Sequence, residues 1–214
     1  MKVPMSAALA SALALAACGP KALELPADPI DRAATCGVVA AANARSQVAE
    51  LKAPLPFEAQ TKIVHYTMIA ASNGGTFDPK IAGTVSERMA ALQEGITEGK
   101  WQDLIPACAE AYPVAEKTDV TLPSDSFEAG LGCDSTIDFL SDAMRANEAD
   151  YADQYGEMAG LQREFDRSLA PGLNARAGSR LEEQRDLRNK AVAEFTGLGS
   201  PAALLQQCEA RFGD

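Results

Sequence analysis

Apolar residues recur along most of this 214-residue chain at spacings of three and four, which is the periodicity of an amphipathic helix. The clearest run follows Asp78 and Pro79, a pair suited to the N-cap and the first residue of a helix. The run consists of Ile81, Val85, Met89, Leu92 and Ile96. No segment sustains the strict alternation that a half-buried strand requires. The pattern therefore predicts an all-α protein.

The first half of the chain contains four such segments, bounded by residues that stop a helix. Pro54 and Pro56 end the first segment and Pro113 ends the fourth, because proline lacks the amide hydrogen that a helix interior uses. The expected helices cover approximately residues 28–53, 57–73, 79–96 and 101–112. Helices joined by such short turns pack as antiparallel neighbours.

The second half of the chain resembles the first, with few identities. Cys108 aligns with Cys208 at an offset of 100, and Cys36 aligns with Cys133 at an offset of 97. The two offsets require a three-residue insertion, which we place after residues 169–172, a segment that resembles a loop. We therefore expect two similar antiparallel four-helix units in tandem; two unrelated helical stretches of similar composition are the alternative. The units cover residues 30–112 and 131–214, with a polar linker at 113–130.

One region of the second half could form either one long helix or two. Residues 133–155 contain no glycine or proline, so apolar positions from Ile137 to Leu169 could line a single helix. The two prolines that end the first helix, however, align with weak helix formers at 148–153. We favour a break there. The last two helices are expected at about 177–195 and 201–212.

The start of the chain carries a separate pattern. After Lys2, the residues from Met5 to Ala17 are all apolar or small, a run shorter than the roughly 20 residues that a membrane-spanning helix needs. A positive residue, a short apolar run and small residues at its end are typical of a secretory signal peptide, which is removed from the mature protein. We therefore assign residues 1–17 to a cleaved signal peptide.

The end of that run, Leu15-Ala16-Ala17-Cys18, resembles the lipobox of bacterial lipoproteins. The resemblance covers the first 18 residues only. It implies that the Cys18 thiol carries a diacylglyceryl group, that the chain is cut before it, and that acyl chains such as palmitate anchor the protein. Gly19 stands where an aspartate would retain such a protein in the inner membrane, so the resemblance implies the outer membrane, facing the periplasm. An ordinary signal peptide, with Cys18 left as a thiol, is the alternative.

Residues 18–29 begin with the proposed lipidation site, Cys18, and contain three prolines, which disfavour a regular helix. We expect them to form a flexible tether of about 30–40 Å, at roughly 3.1–3.4 Å per residue. No second apolar run of spanning length follows, so the lipid is the predicted attachment to the membrane.

With Cys18 assigned to lipid, an even number of cysteines remains, which favours disulfide bonds in an exported protein. Four cysteines allow three pairings. If each unit has one cysteine near its start and one near its end, the pairs are Cys36–Cys108 and Cys133–Cys208. Each bridge would close a loop of about 70–75 residues and stabilise the fold by about 4 kcal/mol. Free reactive thiols are the alternative, although the sequence contains no CxxC motif.

The chain is acidic, with a net charge of −11, and this charge excludes some partners. Nucleic-acid binding relies on a basic surface, so we expect none. Anionic headgroups would repel the domain, so charge cannot hold it at a membrane. Arg176 and Arg180 belong to a local excess of cations, have few acidic partners at helical spacing, and form a candidate patch for an anionic partner. Two further pairs are spaced to neutralise each other, Glu182–Arg185 and Asp186–Lys190.

Candidate catalytic residues are few. His65 is the only histidine, lies on a predicted helix without a nucleophile motif, and is expected at the surface or its boundary. One histidine with disulfide-bonded cysteines does not supply a zinc site, so we expect no metal and no other cofactor. Five clustered acids could act as paired carboxylates or bind calcium, although their spacing is typical of a solvated helix face. They are Asp142, Glu148, Asp150, Asp153 and Glu157.

Together these features favour a non-enzymatic helical binding or structural module anchored in the envelope, with an envelope protein or a cell-wall component as its partner. The alternatives are an envelope hydrolase that uses paired carboxylates, and a small-molecule binding lipoprotein with a pocket between the two units. Two acids that converge about 5–10 Å apart in a cleft would favour the hydrolase.

Overall fold

The regular structure is helical throughout the residues that the computed structural model describes, 23–50 and 52–213. The α-helices of these ranges are α1 (Pro29–Ser46), α2 (Phe57–Ala71), α3 (Pro79–Thr97), α4 (Ile105–Ala111), α5 (Ser126–Ala143), α6 (Ala152–Ser168), α7 (Ala170–Ala177), α8 (Leu181–Thr196) and α9 (Pro201–Phe212). Short 3-10 segments lie at Trp101–Leu104, Pro113–Glu116 and Arg145–Tyr151. The prediction of an all-α protein is confirmed.

Helix starts follow the capping residues in the sequence. The Asp28 carboxylate accepts hydrogen bonds from the backbone amides of Ile30 and Asp31, at 3.0 and 2.9 Å, in front of α1. The Asp78 carboxylate accepts from the amide of Lys80 at 2.8 Å in front of α3. Each cap satisfies amides that have no partner inside the helix. The predicted N-cap at Asp78 is therefore confirmed.

Two disulfides hold the two units, and both have the pairing that the repeat predicts. Cys36 of α1 is bonded to Cys108 of α4, and Cys133 of α5 is bonded to Cys208 of α9. All four cysteines are buried at the centre of their unit. Each bridge therefore joins the first and last helices of one unit.

The helices of the two units correspond in order, with one addition in the second. The first unit contains α1 to α4, and α5, α6, α8 and α9 occupy the same positions in the second. The additional helix α7 occupies the site of the three-residue insertion, where the sequence suggested a loop. Gly178 ends α7 with φ of +62°, a conformation that favours glycine, so the next helix begins at Leu181 rather than near Ala177.

The break predicted within residues 133–169 is present. The helix α5 ends at Ala143, the 3-10 segment Arg145–Tyr151 follows, and α6 begins at Ala152. Tyr151 fixes this break, because its hydroxyl donates a hydrogen bond to the Leu55 carbonyl at 2.8 Å. The ring of Tyr151 also packs edge-on against Phe57. The two interhelical turns that align in the repeat are therefore in contact.

Two segments that we expected to be free of the core are packed against it. Leu23 and Leu25, in the predicted tether, contact the core of the first unit, so the tether interpretation does not hold for residues 23–29. Val120, in the predicted linker, is buried in the core of the second unit. The linker is also shorter than expected, because α5 begins at Ser126. Apolar side chains explain both differences, since each segment carries leucine or valine among its polar residues and prolines.

The helix α2 lies between the two units and joins their cores. Met68 and Phe77 of the first unit form one buried cluster with Leu140 and Val192 of the second. The amide of Phe77 donates a hydrogen bond to the carbonyl of Asn189 at 3.0 Å. The two units are therefore held against each other by side chains and backbone as well as by the linker.

Candidate functional site

A groove with a volume of about 620 Å³ opens between the two units. The helices α2 and α3 form one wall, and α5 and α8 form the other. We call this cavity the inter-unit groove. Its lining comes from both units and includes Phe77, Gly83, Ser135, Asp138, Phe139 and Arg185.

Small side chains on α3 keep the groove open. Pro79, Ala82, Gly83 and Ser86 line it at the spacing of one helix face, and Met89 continues that face. A Cβ atom built on Gly83 would have no atom within 4 Å. A glycine inside an exposed helix costs about 1 kcal/mol relative to alanine, and at this position it provides space. The α3 wall of the groove is therefore formed mainly by small side chains.

The floor of the groove is apolar and aromatic. Phe77 and Phe139 contact each other edge to face across the two units, with ring centroids 4.8 Å apart. Val64 and Val192, from α2 and α8, also line the cavity. Phe77 is buried and Phe139 is partly exposed. An apolar group that entered the groove would lose water-exposed surface against these side chains, which favours binding.

Ser135 and Arg188 supply polar groups to the lining of the groove. Asp134 is nearly buried and forms an ion pair with Arg188 of α8. Burial raises the pKa of Asp134, and the hydrogen bond from Arg188 opposes that rise. The neighbouring Ser135 is 5% exposed, and its hydroxyl oxygen has no hydrogen-bond partner within the described residues. The oxygen itself has almost no accessible surface, so a ligand in the groove can satisfy it only if the Ser135 side chain rotates.

Two oppositely charged side chains stand at the edge of the groove. Asp138 of α5 and Arg185 of α8 are exposed, and both line the cavity. Among the ion pairs of the described residues, neither of these two side chains takes part in one. The predicted pairing of Glu182 with Arg185 is likewise not among them, because the Arg185 side chain is on the groove face of α8.

His65 lies in the interior, so the expectation of a surface or boundary position is wrong. Its side chain is fully buried, and Nε2 is 3.0 Å from the carbonyl oxygen of Thr196. Because a carbonyl only accepts, Nε2 carries the proton and donates it. Burial lowers the pKa of His65 to about 4. The sequence pattern missed this because α2 is covered on two sides, by its own unit and by the second unit.

The five clustered acids do not converge on one point. Asp142 lines the groove and pairs with Arg145, three residues on. The others are exposed on the 3-10 segment or on α6: Glu148, Asp150, Asp153 and Glu157. Within residues 23–50 and 52–213, no group of three or more histidine, cysteine, aspartate or glutamate side chains is arranged to hold a metal ion.

The two arginines of the candidate anion patch have partners in their own unit. The guanidinium of Arg176 lies over the ring of Phe127, 4.0 Å from its centroid, and 3.8 Å from the carboxylate of Asp125. Arg180 pairs with Glu183. Arg185, by contrast, belongs to the same run of cations and faces the groove. The run of cations in the sequence therefore reaches the groove through Arg185, and Arg176 and Arg180 are not among the residues that line it.

The predicted lipidation site, Cys18, lies outside the described residues. Inside them, no helix has both the length and the apolar composition that crossing a bilayer requires. Comparison with models of protein families, with curated proteins and with solved structures yields no match for this chain. The inter-unit groove is therefore the feature from which a function can be inferred.

Proposed function

We propose that this chain is a lipid-anchored envelope protein that binds a small, largely apolar molecule in the inter-unit groove. The observation that carries this proposal is the groove itself. Its volume of about 620 Å³ lies within the range of roughly 300–1,000 Å³ that is typical of small-molecule sites. An apolar floor with a few polar groups at its edge is also typical of such sites.

The two walls of the groove are held rigidly, which supports its interpretation as a binding site rather than an incidental gap in the packing. Each unit is closed by its own disulfide, and the two units share the cluster around Met68 and Leu140. A cavity held open in this way loses little conformational freedom when a ligand enters. The groove therefore has the character of a preformed site.

The anchor that we propose at Cys18 would leave the groove accessible. Residues 18–22 can span at most about 17 Å, at roughly 3.4 Å per residue, before Leu23 contacts the first unit. Leu23 lies against Gly99, beyond the C-terminal end of α3, whereas Gly83 lines the groove in the N-terminal part of that helix. The two glycines are about 24 Å apart along the axis of α3, at a rise of about 1.5 Å per residue. The segment that leads to the proposed anchor therefore meets the domain at the end of α3 away from the groove, and a lipid on Cys18 would leave the groove uncovered.

A hydrolase is the weaker alternative. Asp138 and Asp142 both line the groove, as a catalytic carboxylate pair would. They are, however, four residues apart on one helix and so stand side by side, whereas the two acids of a glycosidase flank the scissile bond from opposite sides. The carboxylate of Asp142 is also engaged by Arg145. Their geometry fits binding better than acid–base chemistry.

Mass spectrometry of the protein extracted from its own envelope in mild detergent tests both parts of the proposal. Under denaturing conditions, we expect a mass that begins at Cys18 and includes a diacylglyceryl group and an acyl chain. Under native conditions, we expect an additional small molecule that is lost on unfolding. An unmodified Cys18 would contradict the anchor, and identical polypeptide masses under both conditions would contradict the ligand.

A further inference from the structure

The charges at the edge of the groove limit which small molecules fit it. The ion pair Asp134–Arg188 and the pair Asp142–Arg145 neutralise four of the groove's neighbouring charges. One carboxylate, Asp138, and one guanidinium, Arg185, remain outside the ion pairs of the described residues. They stand on neighbouring helices, α5 and α8, which form the same wall of the groove. The edge therefore offers one anionic and one cationic position.

A ligand with a single charge matches this edge poorly. An anion would meet Arg185 but would approach a chain whose net charge is −11, and long-range repulsion slows such an approach. A cation would meet Asp138 but would be repelled by Arg185, which stands at the same edge of the groove. A ligand that carries both charges avoids these costs.

Ser135 adds a third polar position on the same face. It precedes Asp138 by three residues on α5, and both side chains line the cavity. Its hydroxyl oxygen is enclosed and unpaired within the described residues, and a hydroxyl can donate as well as accept. A rotation of the side chain about its Cα–Cβ bond would present the hydroxyl to a polar group of a ligand, such as an amide.

We infer that the ligand class is a small zwitterion with apolar side chains, such as a short peptide of apolar residues. Its ammonium group lies at Asp138, its carboxylate lies at Arg185, and its side chains lie against Phe77 and Phe139. This inference rests on the proposed function and specifies it. It draws on the charge complementarity of the edge, the unpaired hydroxyl and the aromatic floor.

Four forms of one dipeptide provide the test, by isothermal titration of the mature protein in detergent. They are leucyl-phenylalanine, its N-acetyl form, its C-terminal amide, and the form with both ends capped. We expect the zwitterion to bind most tightly and the loss of either charge to weaken binding at least tenfold. Equal binding of all four forms would overturn the zwitterion inference and leave the groove as an apolar site.

Two variants connect each charge of the dipeptide to one residue. Asp138→Asn should weaken the binding of the two forms with a free ammonium group and leave the affinity for the N-acetyl form unchanged. Arg185→Gln should weaken the binding of the two forms with a free carboxylate and leave the affinity for the amide unchanged. Asp150→Asn and Arg163→Gln, which remove the same charges outside the groove, should leave the affinity for all four forms unchanged. If none of the four forms binds, the inferred ligand class is wrong. The proposed function is tested separately, by the presence of a bound small molecule in native mass spectrometry.

Discussion

The imidazole of His65 in α2 donates a hydrogen bond from Nε2 to the main-chain carbonyl of Thr196 at the end of α8, over 3.0 Å. This carbonyl belongs to the last turn of the helix, where the backbone acceptors have no partner further along. The bond therefore completes the C-terminal end of α8 with a side chain from the other unit. It links α2 and α8, which line opposite walls of the groove.

Acid should weaken this link. The pKa of His65 is about 4 in the folded protein and about 6.5 in the unfolded chain, so the unfolded state takes up the proton first. The contribution of neutral His65 is therefore complete above pH 6.5 and is lost as the pH falls to 4. Between pH 7 and pH 4 we expect a loss of about 3 kcal/mol from this group.

Comparison with His65→Gln isolates that effect, because glutamine keeps a donor but does not titrate in this range. Denaturant unfolding at several pH values should give the wild-type protein a steeper fall in the free energy of unfolding than the variant. Parallel curves for the two proteins would mean that His65 does not couple folding to pH.

Each disulfide should stabilise its own unit. Cys36→Ser with Cys108→Ser opens a loop with a sequence separation of 72, for which chain entropy gives a loss of about 4 kcal/mol in the free energy of unfolding. The double variant with Cys133→Ser and Cys208→Ser should lose a similar amount, since the separation there is 75. Alkylation and mass analysis should find the remaining bridge intact in each case. Bridges between the units would contradict the pairing.

Two glycines should respond to alanine in opposite directions. A Cβ atom on Gly132 of α5 would lie 1.9 Å from a ring carbon of Phe195, so Gly132→Ala forces the helices apart and should cost at least 1–3 kcal/mol, about the usual penalty for overpacking. Gly83→Ala meets no neighbour and should stabilise α3 by up to about 1 kcal/mol. Thermal unfolding measures both changes. A stabilised Gly132→Ala would show that α5 and α8 are not in close contact there.

Much of the fold follows from local signals in the sequence. The cap at Asp78, the spacing of apolar residues in α3 and the matching cysteine positions predict helices, their order and the disulfides. These signals act within a few residues or within one unit. The predicted start of α8 near Ala177 is wrong, because Gly178 ends a separate helix, α7, that apolar periodicity does not indicate.

The site was largely hidden from the sequence because it depends on how the two units pack. Periodicity places Phe77 and Phe139 only within their own helices, and nothing local indicates that the two rings meet. The sequence gives Asp138 and Arg185 the pattern of ordinary surface charges. Only the packing of α5 against α8 places both beside one cavity. Only the small residues around Gly83 gave a local signal, since an exposed helix face rarely favours glycine.

The fraction of protein that retains a ligand, measured by native mass spectrometry in a pair of matched glycine variants, tests the central claim most directly. Gly83→Phe places a ring in the groove, whereas Gly95→Phe makes the same change on α3 away from it; a Cβ atom on either glycine would have no neighbour within 4 Å. We predict that Gly95→Phe retains the ligand as the wild-type protein does, and that Gly83→Phe loses it while remaining folded. Equal retention by both variants would contradict a ligand site between the units.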